Sequence, residues 1–481
     1  MSMSKKGAFI GIVVVAAGLS VTPYFIGTQT ESAIKDYVAL FDESQHLYQA
    51  RVVSYERDWL SANAVIEVGI DTRALGLEDG ATGEVVTTEF ELSLQHGPLL
   101  TDQGLAIGLA SWQVSNDGQG LQDYVQWDSS RLLYLQQGTV NLVGNASYRD
   151  SIPQLSNTER TGEVRFELAE YGGQGQYDGK TLRYEGAFSE FNLGVESLQV
   201  ELQNAQLSGL AEASLQTLLR GQFYEGHGSM TLDAMTVTTA EAGEVMGADK
   251  VSMDYVMSIS EASATGNELV QMAMDYGFDT LRVNGVETND LRMNTAMNGI
   301  DKGFMDAYLQ LLQSDAGTDP EQLQAALEEL FEQQGLALLQ AEPELTITNF
   351  SGSLPEGQFV ASASLSVAGV RALPQAMDDD AFWREHMRAS THLNVEKPLL
   401  QWATQMYVQM SLVNAGQARE LTVEQLQQIA AQQAAMMIQS FVQQGVLREE
   451  DGSYVLDLQV AAGVLDMNGQ QVPLTQAMGG M

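Results

Sequence analysis

The chain contains no cysteine. Disulfide bonds, zinc–thiolate centres and cysteine nucleophiles are therefore excluded. Cations are also scarce, with 23 Lys and Arg residues against 63 Asp and Glu residues and a formal net charge of −40. Nucleic-acid binding needs clustered cations to contact the phosphates, so a nucleic-acid partner is excluded. The same charge disfavours contact of the acidic bulk of the chain with anionic lipid surfaces.

The remaining composition is that of a folded protein. Apolar residues make up 44% of the 481 residues and charged residues only 18%, whereas disordered chains combine low hydrophobicity with high charge. The length suits one large domain or two to three ordinary ones. The carboxylates are scattered along the chain, which favours a solvated surface in a salty compartment over a cation-binding site.

A run without charged residues follows two lysines near the N-terminus. Residues 7–26 come after Lys5 and Lys6, and twenty helical residues span about 30 Å, the thickness of a bilayer core. Because the next cation is Lys35, the positive-inside rule predicts a cytoplasmic N-terminus. We expect this run to anchor the chain in the bilayer; a cleaved signal peptide is the alternative. The spacing of apolar residues after it predicts a helical stalk over residues 27–45.

Most of the chain shows the alternation of apolar and polar residues that is typical of half-buried strands. Examples lie at residues 90–94, 198–202 and 251–259, and turn pairs such as Asp178-Gly179 and Asn284-Gly285 separate such segments. Helical periodicity replaces this alternation after Pro320, after Pro398 and after Thr422, where Gln425 completes a capping box.

These patterns predict an α+β fold dominated by strands. It comprises a single N-terminal transmembrane helix, a long antiparallel β-meander and helices inserted in the C-terminal half. The predicted segments are a cytoplasmic stub and anchor (1–26), the stalk (27–45), a β-rich region (46–295), a helical insertion (296–340) and an α+β C-terminal region (341–481).

The search for chemical motifs yields no catalytic, cofactor-binding or metal-binding residue. The glycine stretch at 172–175 lacks the spacing of a phosphate loop or a dinucleotide fingerprint, and is interpreted as a flexible hairpin loop. His386 and His392 are six residues apart, unlike a helical zinc pair. Asp378, Asp379 and Asp380 lack the spaced ligands of a calcium loop and are interpreted as a solvated turn. The 21 methionines are assigned to core packing, with an apolar binding groove or a soft-metal site as alternatives.

Four short segments together resemble the bacterial YdgA-like family, a group of membrane-anchored proteins of unknown function. They are Gly27-Thr28-Gln29, Tyr55-Glu56-Arg57-Asp58-Trp59-Leu60-Ser61, His96-Gly97-Pro98 and the C-terminal stretch 452–469. Asp58 stands where the family usually has glycine. The resemblance implies a bacterial inner-membrane protein with its bulk in the periplasm, and it implies no activity. By themselves, Trp59 is interpreted as a core anchor of a strand, and His96-Gly97-Pro98 as a strand-ending turn.

We therefore predict a membrane-tethered periplasmic protein that is not an enzyme and acts as an envelope scaffold or interaction protein. Its expected partners are the lipid bilayer through residues 7–26 and either envelope proteins or an apolar ligand. One alternative is a carrier or chaperone that binds a lipid or lipoprotein in a β-sheet groove. Another is an unrecognised periplasmic hydrolase that uses carboxylates and His96.

Overall fold

A computed structural model describes residues 30–44, 48–71, 85–161, 164–260, 266–314, 320–416 and 421–475. Antiparallel strands dominate it, as predicted. No helix within these ranges is long and apolar enough to cross a membrane. This finding corrects the expected fold class and the expected inner-membrane location, both of which included a spanning N-terminal helix. The predicted span itself, residues 7–26, lies outside the described ranges.

The described helices and strands are numbered here in chain order. The helices are α1 Thr30–Ser44, α2 Leu215–Leu219, α3 Lys302–Leu312, α4 Pro320–Gln340, α5 Asp380–His386, α6 Lys397–Asn414 and α7 Val423–Gln443. The first strands are β1 Tyr48–Arg57, β2 Ser61–Asp71, β3 Val85–His96, β4 Leu99–Leu100, β5 Ala106–Ile107, β6 Ala110–Asn116, β7 Val125–Trp127 and β8 Tyr134–Val140. The next are β9 Ala146–Ile152, β10 Leu155–Asn157, β11 Val164–Leu168, β12 Tyr171–Tyr177, β13 Thr181–Val195, β14 Leu198–Glu212, β15 Glu225–Thr239 and β16 Gly243–Ser260. The last are β17 Leu269–Val283, β18 Val286–Asp301, β19 Glu344–Leu354, β20 Gly357–Val367, β21 Met387–Glu396, β22 Arg448–Glu450, β23 Ser453–Ala461, β24 Val464–Met467 and β25 Gln470–Pro473.

The chain divides into two compact units. Unit 1 takes in the described parts of residues 1–247, 254–259 and 302–332, and unit 2 those of 248–253, 260–301 and 333–481. In unit 1, antiparallel pairing follows the order β1-β2-β3-β6-β8-β9-β12-β13-β14-β15. In unit 2 the order is β17-β18-β19-β20-β21-β23-β24-β25, again antiparallel throughout.

Unit 1 has a closed hydrophobic core on one face of its sheet. Strand β3 alternates between exposed and buried positions, with Phe90, Leu92 and Leu94 pointing inward. Each such side chain contributes about 1.5–3 kcal/mol when fully buried. Helix α1 closes part of this core, because Val38 and Phe41 are buried among the strand residues. Within the segment predicted to be a helical stalk, residues 30–44 therefore form a helix that docks on this core.

Several local signals act as the sequence predicted. Asn284-Gly285 joins β17 to β18, and both residues have a positive φ, of 50° and 81°, as a tight hairpin turn requires. Helix α4 begins at Pro320, and the capping box of Thr422 and Gln425 starts α7. These signals succeed because each depends on backbone geometry within a few residues.

Candidate functional site

Six strands of unit 2 present one face made of apolar and small side chains, which we call the apolar face. Side chains that are register partners across β17, β18, β19, β20, β21 and β23 point to the same side of the sheet. Three such rows form the apolar face: Met272-Met297-Leu345-Leu365-Ala389-Val460, Met274-Thr295-Ile347-Ala363-Thr391-Leu458 and Tyr276-Met293-Phe350-Ala361-Leu393-Leu456. None of these eighteen side chains is charged.

The apolar face is not packed shut. Leu345 is 46% exposed, Leu365 42%, Met274 39% and Phe350 38%. Helix α6 packs against β20, β21 and β23, yet large side chains on three strands of the face remain open to solvent. The core of unit 1, by contrast, buries its apolar side chains almost completely. Contiguous exposed apolar surface is a common feature of ligand-binding grooves and of protein or membrane contact sites.

The methionines belong mainly to such half-open surfaces. Among the described residues, Met305 is the one methionine in the buried class, at 8% exposed, while Met272, Met293 and Met297 line the apolar face. Assignment of the methionines to core packing was therefore wrong for this part of the chain. Methionine is flexible and polarizable, so a surface rich in it adapts to ligands of different shape.

Unit 1 contains a buried polar cluster on the inner face of its sheet. The Tyr184 hydroxyl donates to both carboxylate oxygens of Asp150, at 2.9 and 3.2 Å, and is also hydrogen-bonded to the Tyr171 hydroxyl. Burial raises the pKa of Asp150, and the hydrogen bond from Tyr184 lowers it in part. Burial also raises the pKa of Tyr171, to about 12, and that of Tyr184 further. The cluster satisfies its own polar groups, so it serves to order the core.

The glycine stretch at 172–175 lies in strand β12, so its interpretation as a hairpin loop was wrong. Its glycines make room for tyrosine rings of the neighbouring strands. A Cβ on Gly175 would overlap the Tyr148 ring, and a Cβ on Gly173 would overlap the Tyr184 hydroxyl. Sequence analysis missed this role because the rings come from residues that are distant along the chain.

The remaining candidates are dispersed over the described residues. Asp379 caps α5, where its side chain accepts hydrogen bonds from the backbone of Ala381 and Phe382. His392 is hydrogen-bonded to Asp457 at 2.7 Å, and this contact lowers the pKa of Asp457. No group of three or more potential metal-ligating side chains occurs within the described ranges.

His96 ends strand β3, and its Nδ1 atom is buried without a hydrogen-bond partner among the described residues. Burial lowers the pKa of His96, and the nearby charge of Arg57 lowers it further. His96 does not line any of three troughs on the described surface of unit 1, those near Gln174, Asn192 and Gly69. This placement gives no support to the hydrolase alternative, which needs ionisable groups converging on a pocket.

One end of unit 1 exposes a second set of apolar side chains, which we call the Trp59 end. The backbone of His96 donates to Leu60 at 2.7 Å, and Leu109 donates to Val140 at 2.8 Å, so three adjacent connections lie side by side. Trp59 itself is 94% exposed, which corrects its interpretation as a core anchor. The exposed members of this end are Trp59, Leu60, Leu99, Leu105, Ile107, Leu142 and Val143.

Comparison with known families adds a relationship over nearly the full length. Residues 3–475 match the family described as bacterial protein of unknown function, DUF945. The chain belongs to this family. Among curated proteins, no match to this DUF945 protein is found. Membership brings no assigned activity, so the function of this DUF945 protein has to be argued from the surfaces described above.

Proposed function

We propose that this DUF945 protein carries an apolar ligand, the acyl chain of a lipid, on the apolar face of unit 2. The observation that supports this role is the six-strand apolar face, on which large side chains of three strands are up to 46% exposed. Covering such surface stabilises a complex by about 25 cal/mol for each Å² of apolar area.

The chemistry of a sheet face favours an acyl chain over an extended peptide. Backbone N–H and C=O groups of β18, β19, β20 and β21 are already paired with their neighbouring strands. An extended peptide on this face would therefore find no backbone partners, and its own polar groups would be left unsatisfied. An acyl chain carries no such groups along its length. Six strands spaced about 4.8 Å apart give a width of about 24 Å, on the order of an extended acyl chain of 18 carbons.

Charge restricts the lipid headgroup. The chain has a formal net charge of −40, which repels anionic groups over distances of about 8–10 Å at moderate ionic strength. We therefore expect a zwitterionic or uncharged headgroup, as in phosphatidylcholine, phosphatidylethanolamine or a diacylglycerol.

The test compares two substitutions on the same strand. Leu365 lies on the apolar face, whereas Val360 is 50% exposed and points to the opposite face of β20. Leu365→Glu places a charge where the acyl chain would lie and removes a leucine contact of about 1.5–3 kcal/mol, so binding should weaken at least tenfold. Val360→Glu introduces the same charge outside the site and should leave binding unchanged.

Binding is measured with a fluorescent phosphatidylcholine by titration of the full chain, and native mass spectrometry detects co-purified lipid. Equal affinity of the Leu365→Glu and Val360→Glu variants would rule out the apolar face as the site. Absence of binding by the unsubstituted protein would rule out the carrier role.

The interaction role predicted from the sequence is our second candidate, and the Trp59 end supports it. Its seven apolar side chains are 55–94% exposed and lie on neighbouring connections, as expected of the apolar centre of a protein interface. Exposed tryptophan is a frequent centre of binding energy in such interfaces. Because a second copy would bring another −40 charge, a different and more basic protein is the expected partner. That the protein falls in the YdgA-like group is likewise a proposal, which rests on the short motifs quoted above.

A photo-crosslinking residue at position 59, compared with one at the exposed Gln119, identifies a partner in cells. The purified partner is then titrated with the unsubstituted chain and with the Trp59→Ala and Ile107→Asp variants. We expect each substitution to weaken binding at least tenfold. Equal crosslinking from both positions, or equal affinity for all three proteins, would contradict this role.

A further inference from the structure

Unit 1 has a trough of about 840 Å³ on the face of its sheet opposite the core. The trough crosses six strands, β8, β9, β12, β13, β14 and β15. One row of register partners along it is polar at every strand: Gln137-Arg149-Gln174-Glu185-Ser208-Ser229. The neighbouring row has small residues at its centre, with Ser151, Gly172 and Ala187 on consecutive strands. The polar row therefore lies next to a row whose central side chains are small.

The polar row continues beyond the trough. It extends over β6, β3 and β2 through the register partners Gln113, Ser93 and Asn63. Nine neighbouring strands therefore each contribute one polar side chain to the row. Hydrogen bonds link several neighbours: Gln137 donates to Gln113 at 2.8 Å, and Ser93 donates to Asn63 at 2.9 Å. The row is thus an ordered line of groups on a rigid sheet.

Within the trough, donors and acceptors remain available. Gln174 donates to Glu185 at 3.0 Å through its Nε2 atom, which leaves its carbonyl oxygen free to accept. Arg149 is exposed and forms no ion pair with any described residue, although acidic residues far outnumber basic ones. Ser208 and Ser229 can each donate and accept. A ligand with many hydroxyl groups matches such alternating donors and acceptors.

The spacing of the row also suits a polymer. Neighbouring strands lie about 4.8 Å apart, and an extended 1,4-linked polysaccharide advances about 5 Å for each sugar unit. A chain lying across the strands would therefore meet one polar side chain for each sugar. The arginine and the glutamate balance each other within the row, and the net charge of −40 repels polyanions. These features favour an uncharged sugar polymer over a nucleic acid or an acidic glycan.

We propose that this trough binds an uncharged, extended polysaccharide segment that runs across strands β8 to β15. Gly172 gives the sharpest test, because a Cβ at this position would have no atom within 4 Å. The Cβ of Gly172→Leu therefore meets no neighbouring atom, and the rest of the leucine side chain extends into the trough, so this substitution should abolish binding. Gln174→Ala removes hydrogen bonds to the sugar and should weaken binding about fivefold. Gln176→Ala is the matched control, since Gln176 is exposed on the same face of β12 but does not line the trough.

Isothermal titration of the full chain with cellohexaose and with chitohexaose measures binding, and circular dichroism checks that each variant is folded. We expect at least one hexasaccharide to bind the unsubstituted chain and Gln176→Ala equally well, Gln174→Ala more weakly and Gly172→Leu not at all. Absence of binding of both at millimolar concentration would overturn the proposal. So would unchanged affinity of Gly172→Leu, or a preference for polygalacturonate, which is a polyanion. The site lies in unit 1, so these outcomes are independent of acyl-chain binding by unit 2.

Discussion

Gly173 on β12 is the register partner of Asp150 on β9, and the absence of a side chain on Gly173 makes room for the buried carboxylate. A Cβ on Gly173 would lie 2.6 Å from Oδ1 of Asp150 and closer still to the Tyr184 hydroxyl. This pair explains why a glycine-rich segment can form a central strand.

Gly173→Ala should therefore destabilise the protein by about 1–3 kcal/mol, the usual cost of overpacking a well-packed core. Gly172→Ala is the matched control, since the neighbouring glycine has open space on the other face and its φ is not positive. This control should be neutral or stabilise by up to about 1 kcal/mol. Urea unfolding of both variants measures the difference, and equal stabilities would contradict the packing argument.

The buried carboxyl group of Asp150 should make the stability of the protein depend on pH. Burial raises the pKa of Asp150 above its ordinary value of 3.8, so the folded protein holds this proton more tightly than the unfolded chain. The unsubstituted protein should thus lose stability as pH rises from 3.8 through the raised pKa. Asp150→Asn does not titrate, so its stability relative to the unsubstituted protein should rise over this window and then level off.

Asp178 supplies a control of opposite sign. Backbone hydrogen bonds from Thr181 and Lys180 lower the pKa of its carboxyl below 3.8. The stability of Asp178→Asn relative to the unsubstituted protein should therefore fall as pH rises towards 3.8. Urea unfolding at a series of pH values tests both variants, and slopes of the same sign would contradict the assignment.

Trp112 and Trp59 of unit 1 should differ sharply in their contribution to stability. Trp112 is 1% exposed, and its ring nitrogen donates to Gln136 at 3.0 Å, whereas Trp59 is 94% exposed. Trp112→Ala should cost about 3–5 kcal/mol, because it leaves a large cavity and an unpaired amide. Trp59→Ala should change stability by less than about 0.5 kcal/mol. A large loss of stability in the Trp59→Ala variant would indicate that Trp59 packs in the core.

Docking of α1 can be tested by a fourth pair of variants. Phe41 is 4% exposed within the core of unit 1, while Lys35 forms an exposed ion pair with Glu31 at 2.6 Å. Phe41→Ala should cost about 3–5 kcal/mol. Lys35→Ala should cost about 0.5 kcal/mol or less, the usual value of an exposed helical pair. Similar effects in thermal unfolding would favour a projecting helix.

Local signals allowed much of the secondary structure to be predicted. The alternation at 90–94 and 198–202, the turn at Asn284-Gly285 and the capping box at Thr422 all depend on near neighbours in the chain. The candidate sites were harder to predict because each row gathers side chains from six strands. The polar row joins residues from Gln137 to Ser229. No local sequence pattern shows that these residues lie opposite one another on neighbouring strands.

Composition alone establishes the absence of thiol chemistry and the strongly acidic character, and the alternation of residues predicts the dominance of antiparallel strands. Which apolar faces are covered depends instead on packing between elements that are distant along the chain. Alternation marks a side chain as apolar on one face of a strand, but burial depends on what packs against that face. Phe90 lies in the closed core of unit 1, whereas Leu365, in an equally alternating strand, lies on the open apolar face of unit 2.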